Sequence, residues 1–255
     1  MTRKIIAIGG GENGRIKNGI KMPYETFAID SEIVKTSGKS NPNFLVLAHA
    51  LPLEFQQNVF DCMSKNYSAL GCNCKLLTSD ELSDIKYAEK LLDWADIIYE
   101  HGGNTAMMLK LWCESGFDKL LENAYKSGKV LCGVSAGANC WFEMGSTDSD
   151  GKNNLTFING LNFVKGLFVP HCDDQTRMQS VKKILKQIPN TVAIAMSNCA
   201  AIAIIDNTYK IILGDGSHRH FTPYALKAFI KNGEYFETKL SVTNDFQPLT
   251  KLYDI

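Results

Sequence analysis

Gly133-Val134-Ser135-Ala136-Gly137 sets a serine among small residues, after the apolar run 129–134 and directly before Ala138. A Gly-x-Ser-x-Gly pattern in that setting reads as a sharp strand-to-helix turn. Such a turn lifts the central hydroxyl clear of the sheet and leaves the next backbone N–H free to donate to an oxyanion. The chemistry this suits is acyl transfer through a nucleophilic serine; the simpler alternative is a small-residue turn that packs a helix on a strand. A serine hydroxyl also needs a base. His49, His101 and His171 each follow an apolar run, which in a parallel sheet puts all three on one rim, whereas His218 and His220 lie in a polar stretch. Spacing alone does not choose among them.

Two glycine clusters compete for a role. His101-Gly102-Gly103-Asn104-Thr105 follows a predicted strand, so its backbone can approach a ligand and supply a second oxyanion donor, while Asn104 or Thr105 suits a helix N-cap. Gly9-x-Gly11-x-x-Gly14, with Asp30 downstream, matches the dinucleotide fingerprint. The fingerprint requires a helix next, yet residues 15–23 are polar and broken by Gly19 and Pro23, so this reading fails its context.

The elements that must position these residues alternate. Predicted strands are Lys4–Ile8, Phe44–Ala48, Lys75–Leu77, Asp96–Tyr99, Lys129–Val134, Leu167–Val169, Val192–Met196, Ala201–Ile205 and Tyr209–Leu213, with a hairpin turn at Asp206-Asn207. Predicted helices span Leu53–Leu70, Glu81–Leu92 with Asp80 as N-cap, Leu120–Ser127 closed by Gly128, and Arg177–Gln187. Gly145–Asn154 is the strongest loop candidate. This rhythm implies an α/β fold with a mostly parallel sheet flanked by helices, as a single domain over 1–255 with no internal repeat.

Composition narrows the function classes. The 255 residues are 45% hydrophobic and 21% charged, which excludes disorder, and 27 basic residues balance 27 acidic ones, which argues against a nucleic-acid partner. No apolar run approaches membrane-spanning length and no signal-peptide pattern opens the chain, so a cytoplasmic protein without a membrane partner is expected. Eight cysteines without a Cys-x-x-Cys pair read as reduced thiols rather than disulfides, and no metal site or cofactor is expected.

Taken in order, Ile8-Gly9-Gly10-Gly11, Gly102-Gly103-Asn104-Thr105, Gly133-Val134-Ser135-Ala136-Gly137-Ala138, Pro170-His171 and Thr176-Arg177 resemble the serine peptidase family of dipeptidase E (α-aspartyl dipeptidase) and cyanophycinase. The likeness runs through nearly the whole chain. It implies a fold like that of class I glutamine amidotransferases, with Ser135 as nucleophile, His171 as general base, and the N–H groups of Gly103 and Ala136 as oxyanion hole. It also implies a small, Asp-containing peptide as substrate, contacted by Asn104 and Arg177. The sequence departs from the family at the third triad member, where the family's glutamate is replaced by Ser197-Asn198-Cys199. Asn198, Asp173 or Asp174 can fill that role, and a non-catalytic binding or regulatory protein is the alternative. Oligomeric state is not legible.

Overall fold

Apolar β-branched runs become strands here and alternating amphipathic segments become the helices that cover them. A computed structural model describes residues 1–149, 151 and 155–255. The chain begins with β1 (Lys4–Ile8), a small hairpin of β2 (Ile16–Lys17) and β3 (Ile20–Lys21), and helix α1 (Phe27–Thr36). Then follow β4 (Asn43–Leu47), α2 (Leu53–Ala69), β5 (Asn73–Leu77), α3 (Ile85–Trp94), β6 (Ile97–Glu100), α4 (Thr105–Ser115), α5 (Phe117–Lys126) and β7 (Val130–Val134). One turn of helix, α6 (Ala136–Asn139), leads to β8 (Phe142–Thr147), β9 (Thr156–Asn159), β10 (Val164–Val169), α7 (Gln175–Gln187), β11 (Ala193–Met196), β12 (Ala200–Ile205) and β13 (Thr208–Leu213). Last come β14 (Ala225–Lys231), β15 (Glu234–Lys239), β16 (Gln247–Pro248) and α8 (Thr250–Tyr253).

Two sheets result. The larger has eight strands in the order β16-β13-β12-β1-β7-β6-β4-β5, and its half from β1 to β5 is parallel. The smaller has six, β15-β14-β11-β10-β8-β9, with β8, β10 and β11 parallel. Alternation along β1 divides the core: Ile6 and Ile8 pack with Ile29 and Ile33 of α1 and Met63 and Tyr67 of α2. Ile5 and Ala7 face Leu92, Met108, Trp112 and Leu121, in the same cluster as Phe168 and Ile194 of the smaller sheet. The outer face of that sheet is covered by Val181, Ile184 and Leu185 of α7. No helix among the described residues is long and apolar enough to cross a membrane.

Three expectations need correction. The helix expected at Glu81–Leu92 is a 3₁₀ turn over Asp80–Ser83 followed by α3, whose N-cap is Asp84, not Asp80; the Asp84 carboxylate accepts from Tyr87 N–H. The apolar period runs unbroken through both pieces, which hides the joint. The helix expected from Leu120 starts at Phe117; α4 before it starts where Asn104 or Thr105 suits a helix N-cap, with Asn104 as the cap, and its extent has no signal because its faces carry no clean polar stripe. Of the loop expected at Gly145–Asn154, Gly145 to Thr147 are strand: a Cβ on Gly145 would sit 2.5 Å from that of Asn139, so this glycine serves close packing instead of a turn. Asp150 and residues 152–154 lie outside the described residues.

Candidate active site

Strand register brings the candidate residues together. Pairing of Ile8 with Val134 sets Gly9-Gly10-Gly11 beside Ser135, and pairing of Glu100 with Gly133 sets His101-Gly102-Gly103 on the other side. In the smaller sheet, Val169 pairs with Ala195, so His171 and Asn198 emerge from neighbouring strand ends. The site thus lies where the C-terminal rims of the two sheets meet, the position expected for ligands in open α/β sheets.

Ser135 has φ 55° and ψ −111°, a strained conformation for a residue with a side chain. Its neighbours explain how the turn closes. A Cβ on Gly133 would fall 2.3 Å from the Gly137 carbonyl oxygen, and one on Gly137 would fall 2.2 Å from the Glu100 carbonyl oxygen. Ser135 N–H donates to Ile8 O at 3.0 Å, fixing the elbow to β1.

The Ser135 hydroxyl lies 3.0 Å from His171 Nε2, and His171 Nδ1 lies 2.9 Å from Asn198 Oδ1. Behind it, Asn198 donates through Nδ2 and through its backbone N–H to the two carboxylate oxygens of Asp173, each at 2.7 Å. A carboxylate accepts only, so the amide nitrogen must face Asp173 and the amide oxygen must face the ring. That orientation makes Nδ1–H the donor and leaves the Nε2 lone pair directed at Ser135. The doubt raised by an amide in the third position is therefore met by a carboxylate one step further out. Asp174 is elsewhere, N-capping α7. Burial holds His171 below the ordinary imidazole range, opposed by the Asn198 hydrogen bond and reinforced by nearby Arg177.

The N–H groups of Ala136 and Gly103 have no acceptor among the described residues. Gly103 sits where a Cβ would meet the Ala50 carbonyl oxygen at 2.1 Å, and a Cβ on Gly102 would touch the Ser135 Cβ at 3.3 Å, so this loop lies against the elbow. Asn104 N-caps α4, its Oδ1 accepting Met107 N–H at 2.9 Å. Arg177 is almost fully buried, with Nη1 donating to Ser146 O at 3.3 Å and Nη2 3.5 Å from the half-exposed Asp148 carboxylate. Its Nε has no partner among the described residues. Arg177 does not line the cleft of about 880 Å³ that opens at Ser135, Gly102 and Gly103.

The other histidines are engaged or remote. Trp112 Nε1–H donates to His49 Nδ1, so His49 Nε2–H donates to Leu77 O. His101 Nδ1 is 2.9 Å from Gly102 O, and His218 and His220 are exposed. The glycine fingerprint has another use as well: a Cβ on Gly10 would come within 2.4 Å of the His171 ring and 2.2 Å of Asn198 Oδ1. Gly14 opens the β2–β3 hairpin through its bond to Pro23 O, and Asp30 is buried in α1, accepting from Tyr67 and Thr26. Sequence reasoning missed Gly10 as the seat of the imidazole and Asp173 as the support of Asn198.

The glycines separate activity from stability. Gly10→Ala meets only side-chain ends, so the ring and amide should move aside: kcat/KM falls by about 10²-fold, because an ångström of misplacement costs that much, while folding is retained. Gly9→Ala meets the Met196 and Ser197 carbonyl oxygens at 2.4 Å and should lower stability by about 1–3 kcal/mol instead. Steady-state kinetics with denaturant unfolding of both variants checks the contrast.

The profile of peptidase family S51 matches residues 5–212. Among curated proteins, the uncharacterized peptidase YgaJ of Bacillus subtilis (strain 168) is 35% identical over 173 residues, 68% of this chain and 70% of its own length. The uncharacterized peptidase Lin0382 of Listeria innocua is 31% identical over 128 residues, 48% of this chain and 61% of its own. Among solved structures, a peptidase from an acI-B1 actinobacterium superposes with a TM-score of 0.71 at 17% identity over 97% of both chains. A putative peptidase E protein from Listeria monocytogenes EGD-e gives 0.61 at 18% identity, over 84% of this chain and all of the other. These two share the fold. With the family profile spanning most of its length, the chain belongs to peptidase family S51, the serine peptidases of the dipeptidase E and cyanophycinase type.

Proposed function

We propose that this protein hydrolyses small, acidic peptides through an acyl-enzyme on Ser135. The observation that carries this reading is the unbroken line from Ser135 through His171 and Asn198 to Asp173, each contact at 3.0 Å or less. Ser135 Oγ attacks the scissile carbonyl as its proton passes to His171 Nε2, and the N–H groups of Gly103 and Ala136 hold the oxyanion. The imidazolium keeps its Nδ1–H on Asn198 Oδ1, with the Asp173 carboxylate polarising the amide from behind. Breakage of the C–N bond expels the amine, which takes the proton from His171. Water then adds to the ester with His171 as base, releasing the acid and restoring Ser135. This sequence balances with no cofactor.

For the acidic side chain, Arg177 is the matching group: a guanidinium fork suits a carboxylate, and its Nε is free among the described residues. The Asp148 carboxylate would have to swing outward, which its half-exposed position allows. A panel of Asp-Xaa and Ala-Xaa dipeptides assayed across pH tests the reading. Because only neutral His171 accepts the proton, and burial depresses its pKa, the acid limb of kcat/KM should fall below the ordinary imidazole range. A limb at or above that range, or no cleavage of any dipeptide, contradicts the proposal. The neutral third group favours one competing reading, a binding protein that keeps the fold, and the same panel excludes it if turnover is found.

A further inference from the structure

The cleft that ends at Ser135 runs between α2 and the β2–β3 hairpin, and nothing in the reaction above uses its walls. Ile16 on the hairpin and Phe55 and Val59 on α2 form an apolar surface, and Phe55 and Ile16 are among the most exposed large hydrophobic residues of the chain. Exposed apolar side chains concentrated in a concave wall beside a nucleophile mark a ligand surface more than scattered ones do. Lys21 and Lys65 stand on the two opposing walls, and neither has a carboxylate partner among the described residues. Arg15 is already neutralised by the Glu12 fork at 2.7 and 3.0 Å, and the Asp61 carboxylate accepts from Gln57. The hairpin wall is preformed, because buried Glu25 ties the Glu12 N–H to Arg219.

Two lysines without a carboxylate partner among the described residues stand here against the single Asp61 carboxylate, so the net unpaired charge in this cleft is cationic, and its surface is apolar. On the acyl half of the proposed substrate the ammonium is balanced by the acidic side chain, for which Arg177 is the matching group, whereas the half that leaves carries an uncompensated carboxylate. A cationic cleft therefore attracts the half that leaves, which is anionic, more than the acyl half, which is neutral overall. We propose that the cleft receives the leaving residue of the substrate, a C-terminal residue with a bulky apolar side chain whose free carboxylate is held by Lys21 and Lys65; this rests on Ser135 being the nucleophile. The protein then selects peptides at both ends, and amidated or extended C-termini are poor substrates.

Calorimetric titration of the Ser135→Ala chain with Asp-Leu, Asp-Ala and Asp-Leu-amide tests the cleft without catalysis. Asp-Leu should bind about tenfold more tightly than Asp-Ala, the difference that a few buried methylenes produce. It should bind about fivefold more tightly than its amide, a modest factor because both lysines are exposed. Phe55→Ala should erase the first difference only, and Lys21→Met combined with Lys65→Met the second only. Equal binding of Leu and Ala peptides, equal binding of acid and amide, or no binding at millimolar peptide to a folded protein overturns the inference. Reactivity of Ser135 in the native chain toward a fluorophosphonate is read separately. Labelling without these binding differences removes the cleft assignment alone, whereas the differences without labelling remove the catalytic reading and leave the cleft as a peptide-binding surface.

Discussion

Ser135→Ala should lower kcat by roughly 10⁴- to 10⁶-fold, the range seen when a nucleophile acting in concert with its base is removed. Stability should change by less than about 0.5 kcal/mol. The two expectations separate because the hydroxyl has one side-chain partner among the described residues, His171, and adds nothing to the close contacts that build the elbow. Alanine also meets the same strain at φ 55°, so the turn is neither relieved nor worsened. Turnover by the residual oxyanion donors and binding groups accounts for what activity is left. Initial rates on any cleaved dipeptide, with a thermal melt of the same preparation, supply both numbers; a variant with native turnover ends the serine mechanism.

The second large effect concerns Asn198 and Asp173. Asn198→Ala removes the acceptor that His171 Nδ1 has among the described residues and should cost about 10²- to 10⁴-fold in kcat, since a wrongly protonated imidazole cannot take the serine proton. Asn198→Asp alone should also be poor, because it sets a second carboxylate against Asp173 at hydrogen-bond distance. Asp173→Asn alone releases the constraint on the amide, which can then turn its NH₂ toward the ring. Combining Asn198→Asp with Asp173→Asn restores one acceptor and one donor in the reverse order and should recover most of the lost activity. A combined variant as impaired as the product of the singles would show that the two side chains do not act as a linked pair.

The reading of elements from sequence succeeded where apolar runs are short and bounded. Strand β1 and the strands around Ser135 and Asn198 fall within a residue of expectation, the strand before His171 starts three residues earlier than expected, and the elbow stands as its glycines suggested. What escaped were features without a local signal. Strands β14 and β15, the latter exposed along nearly its whole length, do not announce a second sheet, yet His171 and Asn198 follow directly on that sheet's β10 and β11. Gly10 falls at the open position of the rejected Gly9-x-Gly11-x-x-Gly14 fingerprint, and the sequence shows a small residue there but not what fills the space beside it; the space is taken by an imidazole from far along the chain. Asp173, two residues beyond His171, was one of several candidate third groups, and only the register of β10 against β11 makes it the partner of the amide instead of the ring. Arg177 shows the converse, being visible as a suitable residue while its burial and its contact with Asp148 were not.

The central claim is that Ser135 is an activated nucleophile, and intact mass after incubation with a fluorophosphonate tests it most directly. The account predicts one adduct per chain, absent from Ser135→Ala and slowed in Gly10→Ala, where the hydroxyl remains but the imidazole is displaced. A folded native chain that takes up no adduct, or one that labels equally after Ser135→Ala, would contradict it.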